Sequence, residues 1–128
     1  MPSELRRRIP EVPDVIRRLQ DDATKLRQRQ EVLSDALARV DLTGGSGQGD
    51  VRRDAARDLE QAREVVRERL GSAVAALEGI RLDLLRLGAG VATADDLTAD
   101  LERAREVHEA VDAVLAGRQE VEELLARE

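Results

Sequence analysis

Two short stretches of the sequence have residue types whose spacing comes close to a known chemistry. The first, LTGGSGQGD at 42–50, places Gly44 and Gly49 at the GxxxxG spacing of a phosphate-binding loop. That motif continues with Lys and then Ser or Thr, because an ammonium neutralises the phosphates and a hydroxyl reaches Mg²⁺. Here Asp50 and Val51 follow, so a carboxylate would face the phosphates. We interpret this stretch as a flexible tether and expect no nucleotide or other cofactor.

The second stretch, HEAVD at 108–112, differs by one letter from the zinc motif HExxH. In that motif two histidines one helical turn apart bind the metal, and the glutamate between them activates water. Asp112 stands where the second histidine would be, and His108 is the single histidine of the chain. We therefore predict no metal ligands and no catalytic residues, with His108 as a boundary residue at the edge of an apolar stripe.

A cluster of arginines near the start could contact an anionic partner. It comprises Arg6, Arg7, Arg8, Arg17 and Arg18, and it could bind nucleic acid, an anionic membrane surface or an acidic protein. The chain has no aromatic residue to stack on a base and a net charge of −6, which argues against nucleic acid. Residues 91–128 carry four basic and eleven acidic groups. The arginines could therefore simply be exposed to solvent, or they could form ion pairs with this acidic segment of the same chain.

The composition points to packed helices. Apolar residues make up 41% of the 128 residues and charged residues 38%, with no aromatic residue and no cysteine. The core must therefore consist of Leu, Val, Ile and Ala. Lys25 is the single lysine, an arginine skew typical of coding bias in a GC-rich genome. No apolar run resembles a signal peptide or a membrane span, so we expect a soluble, cytoplasmic protein.

Heptad spacing predicts the first helix over about 12–40, preceded by an N-terminal arm at 1–11. Gln30 alone interrupts the apolar seam, and one polar position of this kind can be solvated in a monomer or can set the oligomeric state. The seam consists of Leu5, Ile9, Val12, Ile16, Leu19, Ala23, Leu26, Gln30, Leu33, Leu37 and Val40.

Similar patterns predict helices over about 51–87 and 94–127, the last one capped by Thr93. Gly71 and Gly79 lie inside the second helix, where we expect close approach of another helix. Two short loops make neighbouring helices antiparallel. The predicted fold is all-α: one domain at 12–128, an up-down-up, coiled-coil-like bundle of three long helices. We expect its core to include Ile16, Leu19, Leu26, Leu33, Leu59, Val66, Leu70, Leu77, Ile80, Leu84, Leu101, Val111 and Leu125.

Four segments carry a family resemblance: VPDVIRRLQDDATKLRQR (12–29), ALEGIRLDLLRLGAG (76–90), LTADLERAREV (97–107) and GRQEVEELL (117–125). Together they resemble the helical accessory region that follows the catalytic domain in some bacterial eukaryotic-type serine/threonine protein kinases. The chain lacks the kinase motifs themselves, including Asp-Phe-Gly. The resemblance implies partner contact or self-association and transfers no catalytic residue.

The sequence favours a non-enzymatic helical module for protein interaction or oligomerisation, with no small-molecule substrate. Two alternatives stay open. One is a binding module that docks its arginine-rich arm on nucleic acid or an anionic membrane. The other is an engineered bundle with GGSGQG as an installed linker. The sequence leaves open whether the chain is a monomer or a dimer.

Overall fold

A computed structural model of the chain describes the backbone of residues 9–42 and 49–127, and the side chains of 9–40 and 49–116. Within these residues all regular secondary structure is helical, and residues 89–93 form a turn. A short 3₁₀ helix, Ile9–Glu11, leads into α1 (Val12–Leu42), which is followed by α2 (Gly49–Gly88) and α3 (Ala94–Arg127). The predicted all-α fold with three long helices is confirmed. The tether at 43–48 lies outside the described residues.

The turn between α2 and α3 is held by hydrogen bonds on both sides. At the end of α2, the N–H of Gly90 donates to the carbonyl of Leu87 and that of Val91 to the carbonyl of Arg86. These two bonds form a Schellman motif, which needs a left-handed residue, and Gly90 has a φ of 75°. Glycine adopts this conformation without the strain that a side chain would add.

The start of α3 is closed by a reciprocal cap. The hydroxyl of Thr93 accepts from the N–H of Asp96 at 3.3 Å, and the carboxylate of Asp96 accepts from the N–H of Thr93 at 3.1 Å. The backbone and then the hydroxyl of Thr93 lower the pKa of Asp96. Thr93 therefore caps α3, and the connection between α2 and α3 is fixed locally.

The apolar core consists of two clusters along the bundle, and each draws on all three helices. The first packs the beginning of α1 against the end of α2 and the beginning of α3. The second packs the later part of α1 against the middle of α2 and of α3. Neighbouring helices therefore run antiparallel. The buried residues of the first cluster are Val12, Leu19, Ala76, Leu77, Ile80, Leu97, Leu101 and Ala104, and those of the second are Leu26, Leu33, Val66 and Val111.

The predicted core residues lie in or against these two clusters wherever their side chains are described. Leu19, Leu26, Val66, Ile80 and Val111 are at most 2% exposed. Ile16, Leu59, Leu70 and Leu84 are partly buried and pack on the clusters from their edges. Leu125 lies outside the described side chains.

The two glycines inside α2 have different surroundings. A Cβ added to Gly79 would lie 3.7 Å from the carboxylate of Asp100 on α3, an ordinary contact distance, whereas a Cβ added to Gly71 would meet nothing within 4 Å. The expected close helix approach is therefore wrong at Gly71, because that residue faces away from the core.

Candidate functional site

A buried carboxylate interrupts the apolar core between its two clusters. Asp22 on α1 is 2% exposed and lies between Leu19 and Leu26, which belong to different clusters. Its Oδ2 atom is 2.7 Å from Nδ1 of His108 on α3. Burying a carboxylate is costly unless it is hydrogen-bonded, so this contact accounts for how Asp22 is accommodated.

The other nitrogen of His108 faces a second carboxylate. Its Nε2 atom lies 3.2 Å from Oδ2 of Asp112, one helical turn further along α3. Asp112 has a side chain that is 63% exposed, whereas the side chain of His108 is 24% exposed. The imidazole ring thus lies between a buried carboxylate from α1 and a solvent-facing carboxylate from its own helix.

Asp22, His108 and Asp112 together form the Asp-His-Asp cluster. One ligand atom from each residue lies within 4.8 Å of the other two. Nitrogen and carboxylate oxygen donors at this separation can hold a divalent metal ion. With both nitrogens donating, the same geometry also suits an imidazolium ion between two carboxylates.

A cavity of about 220 Å³ opens beside the cluster, between α1 and α3, and His108 is part of its wall. Its apolar floor comes from both helices, and its mouth has side chains of both charges. The floor consists of Val15, Leu19, Leu101 and Ala104, and the charged residues are Glu11, Asp14, Arg18 and Arg105. The cavity leaves His108 reachable for a small ligand or for water.

A second pair of acidic groups lies between α2 and α3. Burial and then the adjacent carboxylate of Asp83 raise the pKa of Asp100 to about 6. Asp83 is 8% exposed and accepts a hydrogen bond of 3.2 Å from Arg86. The Oδ2 atom of Asp100 is buried with no hydrogen-bond partner. At neutral pH this pair brings two negative charges together inside the bundle, with Arg86 as the adjacent cation.

The predicted arginine cluster is described only in part. Arg6, Arg7 and Arg8 lie outside the described residues. Arg17 and Arg18 are both exposed on α1. Arg17 lies 3.4 Å from Asp14 on the same helix, and Arg18 lines the cavity. Contact of this cluster with an anionic partner stays a prediction.

The outward face of α2 changes character along its length. Over 53–67 it presents the exposed charged residues Arg53, Arg57, Glu60, Glu64 and Arg67. Over 71–89 the same face is small and apolar apart from one glutamate. We call this second part the outer stripe, and it consists of Gly71, Ala75, Glu78, Leu82, Leu85 and Ala89.

The outer stripe lies opposite the core. All six of its residues are exposed, with Leu82 at 57% and Leu85 at 73%. Their spacings of four, three, four, three and four residues keep them on one face of α2, with Ala89 directly after its last residue, Gly88. Exposed apolar side chains that lie together on one face, as Leu82 and Leu85 do, can mark an interaction site.

The sequence analysis missed both Asp22 and the outer stripe. Asp22 is next to the seam residue Ala23, and its partner His108 is 86 positions away, so no local motif joins them. The outer stripe did have a signal, since its heptad spacing is visible in the sequence beside the inner pattern of α2.

Comparison with known proteins finds no matching family model, no matching curated protein and no matching solved structure. The resemblance to kinase accessory helices therefore stays a prediction. Among the described residues, no helix has an apolar stretch long enough to cross a lipid bilayer.

Proposed function

We propose that the chain is a non-enzymatic helical interaction module that associates with a second copy of itself through the outer stripe of α2. The observation that carries this proposal is the exposure of Leu82 and Leu85 on a face that the core does not use. On the same face of the same helix, the residues before the stripe are charged, whereas the stripe itself exposes two leucines. A helix face that only needs to be soluble would continue the charged pattern.

A second copy is the partner that this pattern fits best. Residues repeating every three and four positions pack into a matching row on a facing helix. The two leucines lie near the middle of the stripe, with Ala75 and Ala89 towards its ends. An antiparallel pair of α2 helices would set Leu82 of one copy against Leu85 of the other and Glu78 against Ala89, so that the paired row runs from residue 78 to residue 89. Such a contact is closed by a twofold axis and ends at two copies.

This pairing uses the second half of the stripe. From Glu78 to Ala89 the paired row rises by about 17 Å along the helix, and Gly71 lies outside it. A regulatory role beside a kinase domain is compatible with self-association and rests on the resemblance alone.

The test is the mass of the untagged protein by size-exclusion chromatography with light scattering, over a wide concentration range. Detection must use refractive index, because the chain has no Trp or Tyr. We expect the mass to rise from 14.1 kDa towards twice that value as concentration increases. The double variant Leu82→Glu/Leu85→Glu should stay at 14.1 kDa with unchanged helical circular dichroism.

The matched control is Val32→Glu/Val51→Glu, which places two glutamates at residues that are 49% and 67% exposed but lie away from the stripe. This control should associate as the wild type does. A wild-type mass of 14.1 kDa at every concentration would contradict the proposal, as would equal loss of association in both double variants.

A further inference from the structure

We propose that Asp22, His108 and Asp112 bind a divalent transition metal ion of the zinc class, through one imidazole nitrogen and one oxygen from each carboxylate. The site would link α1 to α3, two helices that are not consecutive in the chain. It is separate from the outer stripe, which lies on α2.

The donor set determines the class of metal. Zinc accepts histidine nitrogen at about 2.0–2.1 Å and carboxylate oxygen at about 2.0–2.2 Å. Magnesium and calcium take oxygen ligands in six- to eightfold arrangements, which one histidine and two aspartates do not supply. The borderline ions zinc, cobalt and nickel match mixed nitrogen and oxygen donors best.

The three ligand atoms lie close enough together for one ion, provided that Asp22 turns from an imidazole nitrogen towards the ion. Two ligands of a tetrahedral zinc ion lie about 3.4 Å apart. The Nε2 atom of His108 and Oδ2 of Asp112 are already 3.2 Å apart, at the (i, i+4) spacing that a helical metal clamp uses. The Oδ2 atom of Asp22 lies 2.7 Å from the other nitrogen, Nδ1, so an ion on Nε2 requires Asp22 to give up that hydrogen bond; one ligand atom of each residue lies within 4.8 Å of the other two.

Charge favours occupation by a dication. Two carboxylates and a neutral imidazole carry a charge of −2. One of these negative charges lies on Asp22, which is only 2% exposed. Buried charges in proteins are hydrogen-bonded, paired or bound to a metal. A divalent ion would neutralise the cluster completely.

The cavity supplies what the three ligands lack. Zinc with three protein ligands completes its coordination with water or another small ligand. Because His108 is part of the cavity wall, an ion bound at the cluster could take such a ligand from the cavity.

The experiment uses the untagged chain, stripped of metal with a chelator and then dialysed. Titration with Zn²⁺ alone by calorimetry should give one ion per chain. Titration with Co²⁺ should give a visible absorption band, which reports direct coordination and lies clear of the protein, since the chain has no cysteine or aromatic residue. Mg²⁺ in large excess should not displace Co²⁺.

Three variants each remove one ligand: Asp22→Asn, His108→Gln and Asp112→Asn. We expect each variant to weaken the binding of Zn²⁺ by at least about tenfold, because loss of a residue that only orients a metal ligand already has an effect of this size. Glu109→Gln is the matched control, because Glu109 is an exposed acidic neighbour of His108 outside the cluster. It should bind as the wild type does. The pair Leu82→Glu/Leu85→Glu should also bind fully, which separates this site from the proposed self-association.

Asp112→Asn keeps the proposal testable if either other variant fails to fold, because the side chain of Asp112 is 63% exposed and carries little of the core. The proposal is overturned if wild-type protein shows no cobalt band at millimolar Co²⁺. It is equally overturned if His108→Gln or Asp112→Asn retains wild-type affinity, since the metal would then bind elsewhere on the acidic surface.

Discussion

The carboxyl group of Asp100 on α3 faces the carboxylate of Asp83 on α2, and burial together with this neighbour raises the pKa of Asp100 to about 6. Arg103 opposes the shift and Asp96 adds to it, while Arg86 is paired with Asp83. The folded state therefore binds a proton at Asp100 more tightly than the unfolded chain does, whose pKa is 3.8.

The sign of the pH dependence follows from this difference. Protonated Asp100 stabilises the fold fully below pH 3.8, and this contribution is lost as the pH rises through about 6. We expect Asp100→Asn to be more stable than the wild type at pH 7, with a gap that closes towards pH 4. Urea unfolding followed by circular dichroism between pH 4 and 7.5 measures the gap. Asp58→Asn, an exposed site on α2, is the control; a gap of equal size in that variant would contradict the assignment to Asp100.

Removing the cap of α3 should destabilise the protein moderately. Thr93→Ala deletes the hydroxyl that accepts from the N–H of Asp96, and the loss of such a cap costs about 1 kcal/mol. Thr24→Ala is the control, because the hydroxyl of Thr24 donates to the carbonyl of Gln20 within α1 and caps no helix end. Chemical denaturation should show a lower midpoint for Thr93→Ala alone. Equal midpoints in the two variants would contradict the capping role.

A charge placed in the first core cluster should unfold the bundle. Leu77 is 8% exposed, and Leu77→Asp would bury a carboxylate without a partner. We expect loss of the cooperative thermal transition in circular dichroism. Val32→Asp, at a residue that is 49% exposed on α1, should melt close to the wild type. A wild-type melt for Leu77→Asp would show that Leu77 is misplaced in the core.

The buried pair should behave as a unit in a double-mutant cycle, measured with chelator present. His108→Leu leaves Asp22 buried without its donor, and an uncompensated buried charge costs on the order of 3 kcal/mol. Asp22→Leu/His108→Leu removes both polar groups and should recover much of that loss, because apolar replacements of both partners are often tolerated.

Unfolding free energies of the two single variants and the double variant give the coupling between Asp22 and His108. If the losses of Asp22→Leu and His108→Leu simply add, the two side chains do not interact, and the contact of 2.7 Å contributes nothing to stability.

The sequence predicts the bundle well because its evidence is local. The apolar repeat from Val12 to Leu37 identifies α1, and the proposed cap at Thr93 marks the start of α3. The predicted ranges 12–40, 51–87 and 94–127 differ by at most two residues from the observed helix ends. Seams and caps are determined by residues within one or two turns, which a single sequence displays directly.

The candidate metal site could not be predicted in the same way. Asp22 occurs in the polar pair Asp21-Asp22, and only the packing of α1 against α3 shows that Asp22 is buried while Asp21 is exposed. The short motif that begins at His108 includes Asp112, but it gives no information about a ligand on another helix. Gly71 differs from Asp22 in this respect, because its position in the outer repeat of α2, off the seam at Leu70 and Leu77, is visible in the sequence.

The contact between Asp22 and His108 also limits how the helices can slide. Leu and Ala recur at seven-residue intervals, so their layers alone would tolerate α3 displaced along α1 by one repeat, or about 10 Å. In a displaced bundle Asp22 would face Leu101 or Leu115, and its buried charge would have no donor. The polar pair therefore penalises misaligned packing more than it strengthens the native one, and it selects a single alignment from several that apolar contacts would accept.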